Sequence, residues 1–360
     1  LFRRLTAAAA GAEALAAGAP GPDGHDELGL MLARLRRVAL RVARDRARLN
    51  ATVAERTAEL VWTDLPLDWM AHDRRDLAAV PEVIARHADR AGVDAVQVNL
   101  PSQAAGLACD RPVVAAAHSC VTSWFRVVRR TGLPADWAWQ RDLTRRGLAR
   151  ADRVVVPSRS FARLLAECYP DMGPIAVVPN ATALRESQRP RRSSAYAAAR
   201  GWDEGKNAAV LDAAAGRCRT AIYAAGALTG PGGDGFRFSH ARQLGPLDQI
   251  ALVELARSAS IFVSPSIYEP FGLAALEAAA VGAALVLSDI PTYRELWDGA
   301  ALFARVDDAD GFASAVDRLA DDPALRRRLV KEARHRAAAF TPKAQAEHML
   351  GYYALAFRHE

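Results

Sequence analysis

Residues 264–281 read SPSIYEPFGLAALEAAAV, and the architecture follows from this stretch. Just before it, Ile261–Val263 is a short apolar run of the kind that forms a buried strand. Pro270 disfavours helical backbone at Glu269, which places that carboxylate in the loop beyond the strand's carboxyl end. Gly272 and Leu273 then open a helix, Leu273–Val281, that stops at Gly282. The first N–H groups of a helix have no partners inside it, so those of Phe271, Gly272 and Leu273 can hold an anion such as a diphosphate. Glu277 lies about one turn inside the helix, where its carboxylate can accept from sugar or ribose hydroxyls. Two carboxylates around anion-accepting amides suit a ligand that is both phosphorylated and polyhydroxylated. Two surface glutamates would explain the charges but not the strand–Glu–Pro–Phe–Gly–helix order.

Working outward, short apolar runs alternate with helical stretches on both sides of this segment. Upstream, strands are expected over Val93–Asn99, Pro112–His118, Asp152–Pro157 and Ile175–Pro179, with helices over Ala135–Ala149 and Ser158–Glu167. The polar stretch Arg185–Ser194 has no apolar periodicity and reads as a boundary. Beyond it come strands Ala195–Ala199 and Thr220–Ala225, the Gly-rich loop Gly226–Gly235, helix Leu247–Ser258 and strand Ala284–Leu287. Helices Asp308–Ala320, Pro323–Ala339 and Pro342–Phe357 close the chain. Such alternation predicts an α/β protein of two Rossmann-like domains facing across a cleft, with ligands at the carboxyl ends of the strands. The expected organisation is a first domain over 1–185, with 1–60 atypical, and a second over 195–341.

Two more candidates sit at strand ends. Arg200-Gly-Trp-Asp-Glu-Gly-Lys206 places two cations around a Gly-containing turn, where they could neutralise a departing diphosphate. Alone it would read as exposed loop charge; its place at the opposite strand end of the same expected domain favours a site. His118 ends the apolar run PVVAAAH, and that position favours a site role over the commoner structural one.

Composition narrows the classes. The chain has 360 residues, 51% hydrophobic and 24% charged, which excludes disordered and collagen-like architectures. Four scattered cysteines lack paired spacing, so reduced thiols are expected instead of disulfides or a zinc site. The net charge of +6 is local in origin: seven arginines lie between Arg34 and Arg48, on a segment whose Leu28, Met31, Leu35, Val38 and Val42 recur at helical spacing. A solvated amphipathic helix is the simpler reading, and docking on an anionic membrane surface the competing one. Nucleic-acid binding is disfavoured, because the basic segment lacks interleaved aromatics or a known module. Neither an export signal nor the ~18–20 apolar residues of a membrane span is visible, so a cytoplasmic location is expected, peripheral to the membrane's inner face at most. Only three lysines stand against 44 arginines, a bias expected of a GC-rich bacterial genome, and it makes the retained Lys206 more informative.

Taken together, these residues resemble the retaining glycosyltransferases of family four, which have the two-domain GT-B fold. Glu269 and Glu277 match the family's Glu, seven residues, Glu signature, and Arg200 and Lys206 match its donor-diphosphate cations. The segments VPSRSFARLL, VVPN, WDEGKN, LVLSDIP, RRLVKEA and FTP agree in order, over about residues 61–360. The resemblance implies a nucleotide-sugar donor held by Arg200, Lys206 and the amides of Phe271, Gly272 and Leu273. It further implies Glu269 on the donor sugar, Glu277 on the ribose, His118 across the cleft near the sugar, and no metal or other cofactor. The last helix, within 342–360, would cross back to the first domain. The acceptor (a sugar, metabolite or lipid) is left open. Two features differ from the family pattern: the strand and Gly-Gly loop that normally open these chains are not found before residue 60, where Gly21-Pro-Asp-Gly24 is a poor substitute, and Ala199 replaces the usual Gly before the Arg. A non-catalytic sugar-nucleotide-binding relic or partner protein is the competing reading, and turnover separates the two.

Overall fold

The computed structural model describes residues 61, 63–186, 191–230, 233 and 235–356, so Arg34–Arg48 and Gly21–Gly24 lie outside the described residues. Leu1–Pro66 and Leu67–Glu360 are separate units, and both sheets belong to the second.

Strands β1 (Val96–Val98), β2 (Val113–Ala116), β3 (Arg153–Val156) and β4 (Ile175–Val177) form a parallel sheet in that order. Helix α1 (Val80–Ala91) precedes it, and α2 (Val121–Trp124), α3 (Ala138–Arg150) and α4 (Arg159–Cys168) join its strands. Helix α2 widens into a π turn over Phe125–Arg129. The second sheet contains β5 (Arg192–Ala198), β6 (Ile222–Ala225), β7 (Arg242–Gly245), β8 (Ala259–Ser264), β9 (Ala284–Ser288) and β10 (Ala301–Ala304), all parallel. Around it lie α5 (Ala208–Ala215), α6 (Gln249–Ser258), α7 (Leu273–Val281), α8 (Pro291–Trp297), α9 (Ala309–Asp321) and α10 (Pro323–Ala337). Helix α11 (Pro342–Ala356) returns to the first sheet, where Met349, Tyr352 and Tyr353 pack on Val114, Val155, Ala176 and Val178.

The order β10-β9-β8-β5-β6-β7 decides where a ligand can sit. The chain works outward from β5 to β7, then returns beside β5 with β8 and works outward the other way. Helices after β5 and β8 therefore diverge, leaving a crevice at the carboxyl ends of these two neighbours. The sheet beneath is rigid, because β8 and β9 are buried over their whole length, as strands covered on both faces must be.

Most element boundaries shift by a residue or two from the sequence reading. Ser158 and Asp308, read as helical, are N-caps with non-helical backbone; their side chains accept from Phe161 N (3.0 Å) and Gly311 N (2.8 Å). Strand β5 begins inside the stretch read as a boundary, because backbone pairing of Arg192 with Ala259 requires no apolar side chain. The periodicity also left several elements unmarked. Strand β7 is an exposed edge, and α5 is nearly all alanine, so neither shows a contrast between faces.

One contact tests the packing of the first half. A Cβ on Gly147, inside α3, would lie 1.7 Å from the carbonyl oxygen of Pro101. Helix propensity alone favours Gly147→Ala by about 0.5–1 kcal/mol, whereas displacing packed backbone costs about 1–3 kcal/mol. The variant should therefore unfold at lower urea than the parent chain; an equal or higher midpoint would mean that the Pro101–Ala104 turn yields freely.

Candidate active site at the β5/β8 crevice

The loop after β8 is held by its own short hydroxyls. Ser264 Oγ bonds Tyr293 Oη (2.7 Å) and Ser266 Oγ (3.1 Å), and Ser266 Oγ donates to Glu269 Oε1 (3.3 Å). Phe271 is buried against Phe340. Gly272 then turns the chain into α7 with φ of 86°, and a Cβ there would meet Tyr293 Cε1 at 2.6 Å. Only glycine satisfies both the left-handed backbone and the lack of space. Among the described residues, no protein group accepts from the N–H of Phe271, Gly272 or Leu273.

The loop after β5 meets this one directly. Gly205 O accepts from Ile267 N (2.9 Å) and Tyr268 N (3.3 Å), while Asn207 Nδ2 donates to Pro265 O (3.0 Å) and Val306 O (2.7 Å). Both loops leave the same carboxyl edge of the sheet, because β5 and β8 are parallel neighbours. That corrects the sequence reading, which set them at opposite strand ends. Their union places Lys206 Nζ 2.5 Å from Glu269 Oε1, with the two side chains 18% and 15% exposed. Lys206 keeps further N–H groups for an anion, and Glu269 Oε2 has no hydrogen bond among the described residues.

Arg200 is not part of that pair. Its guanidinium bonds Asp203 Oδ2 (3.1 Å), stacks over Trp202 and is 57% exposed. Asp203 is a residue that the sequence reading did not single out. Its other oxygen, Oδ1, accepts from Gly205 N (3.0 Å) and from Trp124 Nε1 (3.2 Å) of α2. The one available signal was its place between two glycines and two cations, which a list of charges does not rank.

His118 follows β2 and lies on the rim of a separate cavity. It is exposed, and no protein group hydrogen-bonds its ring among the described residues. The surrounding walls still strip water from it, and this desolvation lowers its pKa. Next to it, Ser119 Oγ lies 3.3 Å from the hydroxyl of Tyr268, the residue before Glu269. Tyr268 Oη also bonds Ser123 Oγ at 2.8 Å. Tyr268 is thus a second residue that sequence reasoning passed over; its aromatic ring read as core, and only its buried hydroxyl shows the link.

Glu277 faces away from Lys206, into a small cleft beside Tyr196, Ala198 and Gln249. Burial raises its pKa, and no described group donates to it. Among the described residues, no three His, Cys, Asp or Glu side chains gather as a metal site would require.

Comparisons with known proteins agree with this arrangement. Residues 25–186 match the family described as Glycosyltransferase Family 4, and residues 239–336 match Glycosyl transferases group 1. A glycogen synthase of Mycobacterium tuberculosis is 43% identical over 99 residues, which are 26% of this chain and 23% of that protein. The chain thus matches about a quarter of that relative's length. Sucrose-phosphate synthase from Thermosynechococcus elongatus has a similar structure, with a TM-score of 0.68 and 21% identity over 79% of each chain. HepE of Anabaena, solved in complex with UDP, superposes with a TM-score of 0.62 and 14% identity, over 76% of this chain and 81% of its own. The α/β architecture is that of the GT-B glycosyltransferases. The chain belongs to glycosyltransferase family four.

A desolvated, unpartnered carboxylate at Glu277 makes a signed prediction. Its folded pKa lies above the ordinary 4.5, so the charged form costs stability at neutral pH. Glu277→Gln should raise the melting temperature of the ligand-free protein at pH 7. The gain should shrink as pH falls through the folded pKa and vanish below 4.5. A pH-independent gain would assign the effect to something other than this carboxylate.

Proposed function

We propose that the protein transfers a sugar from a nucleoside-diphosphate sugar to an acceptor hydroxyl with retention of configuration. The observation that carries this reading is the Lys206–Glu269 pair, set at 2.5 Å beside the unpartnered amides that begin α7. A cation next to free N–H groups suits a diphosphate, and a carboxylate with a free oxygen suits sugar hydroxyls. The likeness to HepE, whose structure holds UDP, supports a nucleoside diphosphate as the leaving group.

In this reading the bond between the anomeric carbon and the diphosphate oxygen breaks while the acceptor oxygen attacks the same face. The acceptor's proton passes to the departing phosphate oxygen, and no protein nucleophile intervenes. Lys206 and the amides of Phe271, Gly272 and Leu273 carry the developing negative charge. Arg200 leaves Asp203 to join them when the diphosphate arrives, a small cost since an exposed ion pair contributes only about 0.2–1 kcal/mol. Glu269 orients the donor sugar, Glu277 accepts from the ribose, and His118 approaches the sugar from the first half. Charge stabilisation rests on protein groups, with no metal assigned a role.

A melting-temperature screen against UDP-, GDP- and ADP-sugars comes first, because ligand binding to the folded state raises its stability by mass action. One nucleotide series should raise the melting temperature of the parent chain and leave Glu277→Ala unshifted. Lys206→Ala should lower kcat by about a hundredfold or more, as loss of one charge-stabilising donor does, with its circular dichroism unchanged. A wild-type rate would remove Lys206 from the reaction. Donor binding without turnover on any acceptor would favour the non-catalytic reading, and loss of activity on adding chelator would reveal a metal role.

A further inference from the structure

A cavity of about 340 Å³ opens at the carboxyl ends of the first sheet, between its strands and α11. Its polar wall is formed by Gln97, Asn99, His118, Asn180, Gln345 and Tyr353, and Val178 and Met349 supply apolar surface. Its volume lies at the small end of the ~300–1,000 Å³ of ligand pockets.

Part of this wall is pre-ordered. Tyr353 Oη donates to Gln97 Oε1, and Gln97 Nε2 donates to Asn99 Oδ1 at 2.9 Å. The chain of bonds fixes both amides and leaves the Asn99 N–H groups as donors to the cavity. The side chains of His118, Asn180 and Gln345 have no protein hydrogen-bond partner among the described residues. Free donors and acceptors are thus concentrated on one wall, yet no Lys, Arg, Asp or Glu lines it. The imidazole is desolvated and favours its neutral form.

Such a wall is selective. A phosphate or carboxylate placed here would shed water and find no cation, which is costly. A sugar or cyclitol hydroxyl both donates and accepts, so it pairs with amides, imidazole and phenol alike. The C–H face of such a ring can lie on Tyr353 and Met349. The cavity is also tied to the loop that bears Glu269. His118 precedes Ser119, whose hydroxyl meets Tyr268, and the lining residue Pro157 precedes Ser158, whose hydroxyl donates to Pro270 O at 2.6 Å.

We infer that this cavity is the acceptor site and that the part of the acceptor it holds is an uncharged polyol, a sugar ring or cyclitol without phosphate. The inference rests on the transferase reading above, and its test separates the two. The parent chain, with its donor, is offered glucose, maltose and myo-inositol alongside glucose 6-phosphate and myo-inositol 1-phosphate. At least one neutral acceptor should be used with kcat/KM about tenfold or more above its phosphorylated counterpart, the ratio that about 1.4 kcal/mol produces. Asn180→Ala and Gln345→Ala should each raise the acceptor KM by about three- to tenfold, as loss of one neutral hydrogen bond does, with the donor-induced melting shift retained. Gln345→Lys should move the preference toward the phosphorylated acceptors. Preference of the parent chain for a phosphorylated acceptor, or unchanged acceptor KM in both alanine variants, overturns the assignment. If no transfer occurs, line broadening of the same polyols in solution NMR decides. Broadening lost in Asn180→Ala keeps the cavity as a polyol site and counts against the transferase; no broadening with any polyol sinks the cavity and leaves the donor reading to its own test.

Discussion

At Gly272 the backbone enters the left-handed region, with φ of 86°, and the ring of Tyr293 occupies the space a side chain would need. That turn aims α7 away from β8 and presents its first amides outward, while Phe271 anchors the other side in the core. Glu269 stands three residues earlier, held by Ser266 and Lys206. Were the turn relaxed, the ion pair, the free amides and the packing of Tyr293 on Ser264 would all move together. A larger residue here would cost more than its backbone strain, because the ring beneath it is fully buried and hydrogen-bonded.

The same loop fastens the two sheets to each other. Ser158 bonds the Pro270 carbonyl, Tyr268 reaches Ser119 and Ser123, and Trp124 reaches Asp203. Glu295 of α8 takes the N–H groups of Arg159 (2.9 Å) and Ser160 (2.6 Å), capping α4 from the opposite half. These contacts differ in weight. Arg129 and Glu204 are about half exposed, so their ion pair contributes little; the buried Tyr268 hydroxyl would lose a full complement of partners if the halves separated. The acceptor-side wall and the donor loops are therefore positioned by one set of small side chains, nearly all within three residues of Glu269 or Lys206.

Legibility in the sequence followed chemistry more than geometry. The strand–Glu–Pro–Phe–Gly–helix run was readable because proline and glycine restrict backbone wherever they stand. Helix α7 was found with both its ends, since Gly272 and Gly282 mark them by positive φ. Strand β7 and helix α5 were not readable, because an exposed edge strand and an all-alanine helix carry no apolar period. Tyr268, Trp124 and Asp203 escaped for another reason. Each is an ordinary residue whose importance comes from a partner at least 79 positions away for two of them, Trp124 with Asp203, and 145 or more for Tyr268 with its serines.

By itself the sequence determined the alternation of strands and helices, the turn at Gly272, and the residue types able to meet a phosphorylated, hydroxyl-rich ligand. These depend on local backbone preference and side-chain chemistry, which act over a few residues. Only the tertiary structure decided that Lys206 pairs with Glu269 while Arg200 turns to Asp203. It also decided that Gln97, Asn180 and Tyr353 share one uncharged cavity. Those outcomes depend on the reversal of strand order at β5 and β8 and on the return of α11 to the first sheet. Such long-range placements leave no mark on any short stretch of the chain.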